Sequence, residues 1–287
     1  MTVTLNAGNV TAVIDTKGAE LKSCAVGGRE LMWCGDEKYW GKTSPFLFPM
    51  IGNLRGGKTI IGGKEYAIPK HGFARDNEFS AVKSGESEAV FLFESNEETK
   101  TRFPFDFTVS LTYRLLSDGL EILYRVTNRS DEKMPYCIGA HPAFAIEGDF
   151  DECRLEFPQD ETVRSPIMNL DTRMWGGHDR VSRLENERVF PLSFPLFDHD
   201  CVYFDTLRSK SCSLIFGSGA GVSVSWDGFE TLGVWTPDHK NAPFLCIEPW
   251  CGCDDYDTDR GIFAEKRGIQ SADPGETKEY RLKIQAV

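Results

Sequence analysis

Three short stretches carry side chains able to move protons. Residues 69–76 read Pro-Lys-His-Gly-Phe-Ala-Arg-Asp, residues 139–144 Gly-Ala-His-Pro-Ala-Phe, and residues 247–250 Ile-Glu-Pro-Trp. Each sets one ionisable group, His71, His141 or Glu248, beside a proline or glycine and an aromatic. Such settings at strand ends open a side chain onto a cleft rather than a core. Glu248 lies between Leu245-Cys246-Ile247 and Pro249-Trp250. A carboxylate in that apolar company is either ion-paired, with Arg55 or Arg75 as candidate partners, or has a raised pKa suited to proton transfer. Trp235, Phe144 and Trp250 offer flat apolar faces to a sugar ring. Asn53, Arg55, Arg75 and Asp200 can supply directional hydrogen bonds to hydroxyls. The remaining histidines, His178, His199 and His239, lie among charges and read as surface residues.

Competing chemistries find no support in the spacing. No Ser/His/Asp nucleophile motif, no Gly-x-Gly-x-x-Gly before a helix and no His-Glu-x-x-His occurs. Gly52-Asn53-Leu54-Arg55-Gly56-Gly57 lacks the trailing Gly-Lys-Ser/Thr of a phosphate loop. Gly217–Gly221, flanked by strand-type residues, reads as a hairpin turn. Cys251 and Cys253, with Cys246 nearby, have no second ligand pair at zinc spacing. The site implied is acid/base chemistry with no metal and no cofactor.

The elements that position these groups read as strands. Thr2–Leu5 and Val10–Ile14 flank a hairpin turn at Ala7-Gly8-Asn9, and Lys58–Ile61 with Lys64–Ile68 make a hairpin with a two-residue turn that leads directly to His71. Phe107–Tyr113 alternates, and Leu120–Val126 answers it across Asp118-Gly119. Met134–Ile138 delivers His141, and Pro243–Ile247 delivers Glu248. Ser44–Pro49, with prolines flanking aromatics, reads as an edge or cleft-lining segment. From Gly148 to Pro195 the periodicity blurs, and Trp175-Gly176-Gly177-His178 reads as a loop. No segment sustains a helical period, and strands recur every 8 to 12 residues or so, which predicts an all-β sandwich or barrel. Without linker, low-complexity tract or charge block, residues 1–287 read as a single domain.

Composition narrows the partners. A net charge of −12 over 287 residues argues against nucleic acid, which needs a basic footprint. The N-terminus has no signal-peptide pattern, no apolar run is long enough to span a membrane, and the nine cysteines sit mostly in strand-like segments. Together these predict a cytoplasmic protein with reduced cysteines. Edge strands in such a sheet offer a route to a homodimer.

At these residues the chain resembles the aldose 1-epimerase (galactose mutarotase) family, in its LacX-like branch. The resemblance runs over nearly the whole chain through an ordered set: Phe48-Pro49 with Gly52-Asn53-Leu54-Arg55, His71–Asp76, Gly139–Phe144, Leu232-Gly233-Val234-Trp235-Thr236, and Pro243–Trp250. It implies a large antiparallel β-supersandwich and interconversion of sugar anomers. By that resemblance Glu248 is the general base at the C1 hydroxyl and His141 the general acid at the ring oxygen. His71 assists beside them, and Arg55 holds ring hydroxyls. Two other readings share the scaffold: a mutarotase of hexose 6-phosphates, and a carbohydrate-binding protein without catalysis.

Overall fold

The structure is a computed structural model that describes residues 1–83 and 85–287, with the backbone alone for Lys83, His178 and Asp179. Its centre is the hairpin of strands Phe107–Leu115 and Gly119–Asn128. Antiparallel pairing sets Val109 opposite Val126, Leu111 opposite Tyr124 and Tyr113 opposite Ile122, so the buried residues of both strands share one face. A slip of one residue would turn that face to water. Thr277–Ala286 pairs along the other edge of Gly119–Asn128, placing Tyr280 opposite Tyr124 and Leu282 opposite Ile122. The sheet grows outward from there to nine strands.

A second sheet of six strands faces this one. Its order is Val202–Phe204, Thr231–Trp235, Phe244–Cys251, Ile138–Ala140, Phe46–Leu47, with Ala143–Ala145 also pairing with Phe244–Cys251. Aromatic rings fill the space between the sheets: Phe48 lies 5.0 Å from Phe107 and Phe46 lies 5.6 Å from Tyr124, centroid to centroid. Each fully buried ring of this kind contributes roughly 1.5–3 kcal/mol. A four-stranded sheet from the N-terminal strands joins the same core, where Tyr113 donates its hydroxyl proton to the carbonyl of Ala19. Among the described residues every ladder between strands is antiparallel. The one α-helix among the described residues is the single turn Glu97–Lys100, and no described helix is long and apolar enough to cross a membrane.

The β-sandwich expectation agrees with this architecture, as do the N-terminal hairpin, the Lys58–Ile61 hairpin and the edge position of Phe46–Leu47. The stretch from Gly148 to Pro195 is different. It holds the two longest strands, Arg154–Asn169 and Met174–Pro191, and Trp175 is fully buried inside the second rather than in a loop. Their pairing changes register between Glu156 and Glu161, at Thr162, at Arg164 and between Pro166 and Met168. Each bulge shifts the alternation of faces and bends the strand. That is why no steady period shows in the sequence. Phe244–Cys251 also runs on past Ile247, through Pro249 and Trp250. All nine cysteines are free.

Candidate active site

Strand alternation places the acid/base groups. Along Phe244–Cys251 the even-numbered Cys246, Glu248 and Trp250 share one face of the strand, while Leu245 and Ile247 take the other. Gly233 on the neighbouring strand stands opposite Glu248, and Gly139 on the other side stands opposite Trp250. These glycines make room for the indole of Trp250. A Cβ on Gly139 would lie 2.6 Å from Trp250 Cδ1, and one on Gly233 would lie 2.6 Å from its Cη2. His141 follows the strand Ile138–Ala140 directly.

His71 is held by its backbone and by its ring. It adopts a left-handed conformation, φ 63°, followed by Gly72 at φ 72°. A Cβ on Gly72 would fall 2.1 Å from the carbonyl oxygen of Phe48, so only glycine fits there. The His71 N–H donates to Gly52 O at 3.0 Å, and the Gly52 N–H donates to His71 Nδ1 at 3.1 Å. Because Nδ1 accepts, the neutral ring carries its proton on Nε2. His71 is therefore a donor toward the cavity. Gly52 also faces the carboxyl of Asp254 so closely that a Cβ would collide with it. Asn53 fixes that carboxylate by donating its N–H at 2.6 Å and its Nδ2–H at 2.9 Å to Asp254 Oδ1.

These groups meet in one cavity of about 180 Å³. Its walls bring together His71, His141, Glu248, Arg75, Asp200, Trp235 and Trp250, all expected from the sequence, with Trp40, Lys70, Met168, Cys201 and Asp254. His141 Nε2 stands 3.1 Å from Glu248 Oε2, and Glu248 is 1% exposed. Neither carboxylate oxygen of Glu248 has an aligned donor, and His141 Nδ1 is also without a partner. Trp40 stacks on the His141 imidazole at 4.9 Å and meets Trp235 edge-on at 5.6 Å.

Burial moves the two central groups toward each other. It pushes Glu248 well above the usual carboxylate range, aided by the charge of Asp200 and opposed by Lys70. It pushes His141 well below the usual imidazole range, aided by the charges of Arg75, Lys70 and Lys42. His71 is lowered by burial too, with Lys70, His141 and Arg75 adding to the effect. Burial thus favours the uncharged form of each member of the pair. Such a pair can give a proton on one side and take one on the other.

The family model described as aldose 1-epimerase matches residues 1–285. The chain belongs to the aldose 1-epimerase family. It is 33% identical to protein LacX (plasmid) of Lactococcus lactis subsp. lactis over 99% of both chains. Its fold matches a galactose mutarotase related enzyme from Lactobacillus acidophilus, with a TM-score of 0.94 at 27% identity, covering 100% of this chain and 97% of that one. A galactose mutarotase-like protein from Lactobacillus casei gives 0.93 at 28% identity and full coverage of both chains. The β-sandwich of this epimerase-family chain is thus the galactose mutarotase-like fold.

Three residues expected at the site of this family member lie elsewhere. Arg55 is exposed on a 3₁₀ turn, where its N–H donates to Asp255 and its guanidinium to the carbonyl of Asp259, away from the cavity. Phe144 pairs with Leu245 and so points into the sandwich core, while its neighbour Ala143, opposite Cys246, takes the other face. Asn53 holds Asp254 rather than lining the cavity itself. No ion pair joins Glu248 to Arg55 or Arg75 among the described residues. His199 and His239 are exposed as expected, and the side chain of His178 lies outside the described residues.

Trp40 and Asp254 escaped the sequence reading. The signal for Trp40 was its place beside Tyr39 in a polar, irregular stretch. For Asp254 it was the acidic pair Asp254-Asp255 that follows Cys251-Gly252-Cys253 soon after Trp250. His141, Cys246 and Glu248 also bring one donor atom each within 4.8 Å of one another, a spacing within a metal ion's reach. Burial raises the Cys246 thiol well above its ordinary value, with Glu248 and Cys201 adding to the effect. That opposes the thiolate a metal would need.

Proposed function

We propose that this aldose 1-epimerase family member interconverts the α and β anomers of a hexose, with Glu248 as base and His141 as acid. The observation that carries the reading is the buried His141–Glu248 pair, 3.1 Å apart, with both carboxylate oxygens unpartnered in a cavity the size of a single sugar ring. A hydrogen-bonding ligand completes such a pair.

Sugar hydroxyls donating to the carboxylate, with Lys70 facing it, favour the tautomer that leaves the proton on His141. Glu248 then takes the proton of the C1 hydroxyl while His141 protonates the ring oxygen. The C1–O5 bond breaks with its electron pair on O5, and C1 becomes the aldehyde carbon. Rotation about C1–C2 presents the other carbonyl face. O5 attacks it, returning its proton to His141, while Glu248 gives its proton back to the C1 oxygen. The enzyme ends each cycle as it began. The Nε2–H of His71 donates to the oxygens that gain charge, the ring oxygen or the C1 oxygen. Trp40, Trp235 and Trp250 supply apolar faces, and Arg75, Asp200 and Asp254 orient hydroxyls.

Polarimetry of freshly dissolved α-D-glucose and α-D-galactose tests this. Wild type is expected to accelerate mutarotation above the buffer rate. Glu248→Gln and His141→Asn are each expected to lose about 100-fold or more of that acceleration. Acceleration that survives both substitutions would rule out the assignment.

A further inference from the structure

A second depression, of about 650 Å³, adjoins the catalytic cavity, and Lys70 lines both. Arg102, Arg173, Thr172 and Asn53 lie along it, and among the described residues none of those lining it is acidic. In a chain of net charge −12, this concavity carries three cations and no lining carboxylate. The border between the two spaces is built from groups already tied to the cavity. Arg173 Nη1 donates to Asp200 Oδ2 at 3.2 Å, and Asn53 on the depression side holds Asp254 on the cavity side. Lys70 makes no ion pair among the described residues. Arg102 has only an exposed contact with Glu98, at 3.4 Å. Such a contact contributes little and is easily given up.

A bare hexose occupies the cavity and leaves this depression without a role. C6 is attached to the carbon that bears the ring oxygen, so with the His71 Nε2–H donating to that oxygen a substituent on C6 leaves the ring on the side of Lys70, the preceding residue. We propose that the sugar carries an anionic group on C6 that passes over Lys70 and rests against Arg102 and Arg173. This rests on the epimerase reading above and specifies its substrate class. Two C6 groups share the chemistry, a phosphate monoester and the carboxylate of a uronate. The phosphate monoester extends farther from C6 than the carboxylate and offers three free oxygens to the cations, so it is the group expected to engage Arg102 and Arg173 as well as Lys70.

The test compares mutarotation of glucose, glucose 6-phosphate and glucuronate, each against its own spontaneous rate, by wild type, Lys70→Gln and the double variant Arg102→Gln/Arg173→Gln. For wild type, kcat/KM is expected to be at least tenfold higher for the 6-phosphate than for glucose. Raising salt from about 0.02 M to 0.5 M should shrink the ratio, because screening acts on exposed cations. The double variant should reduce it about tenfold, mostly through KM. A preference for glucuronate that Lys70→Gln removes and the double variant spares assigns the anion to the carboxylate instead. Equal kcat/KM for all three sugars, or a phosphate preference untouched by the double variant, overturns the proposal.

Calorimetric binding of 1,5-anhydroglucitol and its 6-phosphate separates this from the epimerase reading, because neither has an anomeric hydroxyl to turn over. Tighter binding of the phosphorylated analogue, lost in the double variant, supports the anion site even if no sugar is turned over. Equal binding of the two counts against it even if plain glucose is.

Discussion

Glu248 is costly to the folded chain as well as central to the proposed chemistry. Its folded-state pKa is raised above its unfolded value, so between the two the folded chain holds a proton that the unfolded chain has released. Stability from this group is therefore greatest in acid and falls as pH rises through that window. Replacing it with glutamine removes the titration. Glu248→Gln should melt a few degrees above wild type at pH 7.5, with the gain shrinking toward zero near pH 4.5. Thermal melts across that range check it; a variant less stable than wild type at pH 7.5 would contradict the burial argument. At this scale His71, His141 and Glu248 were legible because ionisable groups in glycine, proline and aromatic company advertise themselves. Arg55 and Phe144 were misplaced for a different reason. Composition says which residues could bind a sugar but not which way a loop side chain points, and Phe144 differs from a cavity-facing residue only by the parity of its strand position. Asp254 is tied to Asn53 across 201 residues of sequence, a distance no local pattern spans.

Among the elements, the strand Phe244–Cys251 with its two neighbours decides the shape of the cavity. One of its faces must carry both a buried carboxyl and an indole, and Gly139 and Gly233 leave the indole its space from either side. The clash from a methyl group at position 233 falls on a ring whose opposite edge already lies close against the Gly139 backbone. Gly233→Ala should cost about 1–3 kcal/mol of stability through overpacking. It should also weaken sugar binding more than it slows turnover, because Trp250 is a wall and not a proton carrier. Chemical denaturation together with KM and kcat checks both parts; a stable variant with unchanged KM would show that Trp250 has room to yield. Strands with steady alternation could be read from the chain, whereas the bulged pair Arg154–Asn169 and Met174–Pro191 could not. A register shift exchanges inward for outward positions, and a sequence carries no mark of where that happens.

Taken whole, the molecule is a thick sandwich with its candidate cavity on the face of the six-stranded sheet that carries Glu248. The strand Gly119–Asn128 is paired along both edges and buried on the aromatic face, while the hairpin Lys58–Ile61/Lys64–Ala67 forms a separate two-stranded sheet with mostly exposed residues. Amide exchange should accordingly be slowest in Gly119–Asn128, near the rate set by global unfolding, and orders of magnitude faster in the hairpin. Comparable protection in the two would argue against this division. The hairpin leads the chain to His71, so a hinge there would be expected to loosen the site. His71 is instead clamped to Gly52 through both its backbone and its ring, which uncouples it from motion in the hairpin.

Gly52 thereby ties two walls of the cavity to one point on the chain: His71 through two hydrogen bonds, and Asp254 through the absence of a side chain. Neither wall can drift alone. A lineage that replaced this glycine would have to shorten or remove the acid at position 254 in the same step and hold a side chain at φ 66°, the left-handed backbone that carries both bonds to a histidine 19 positions away. Variation in substrate choice should then accumulate at the rim, around Lys70, Arg102 and Arg173, where a change disturbs one contact at a time.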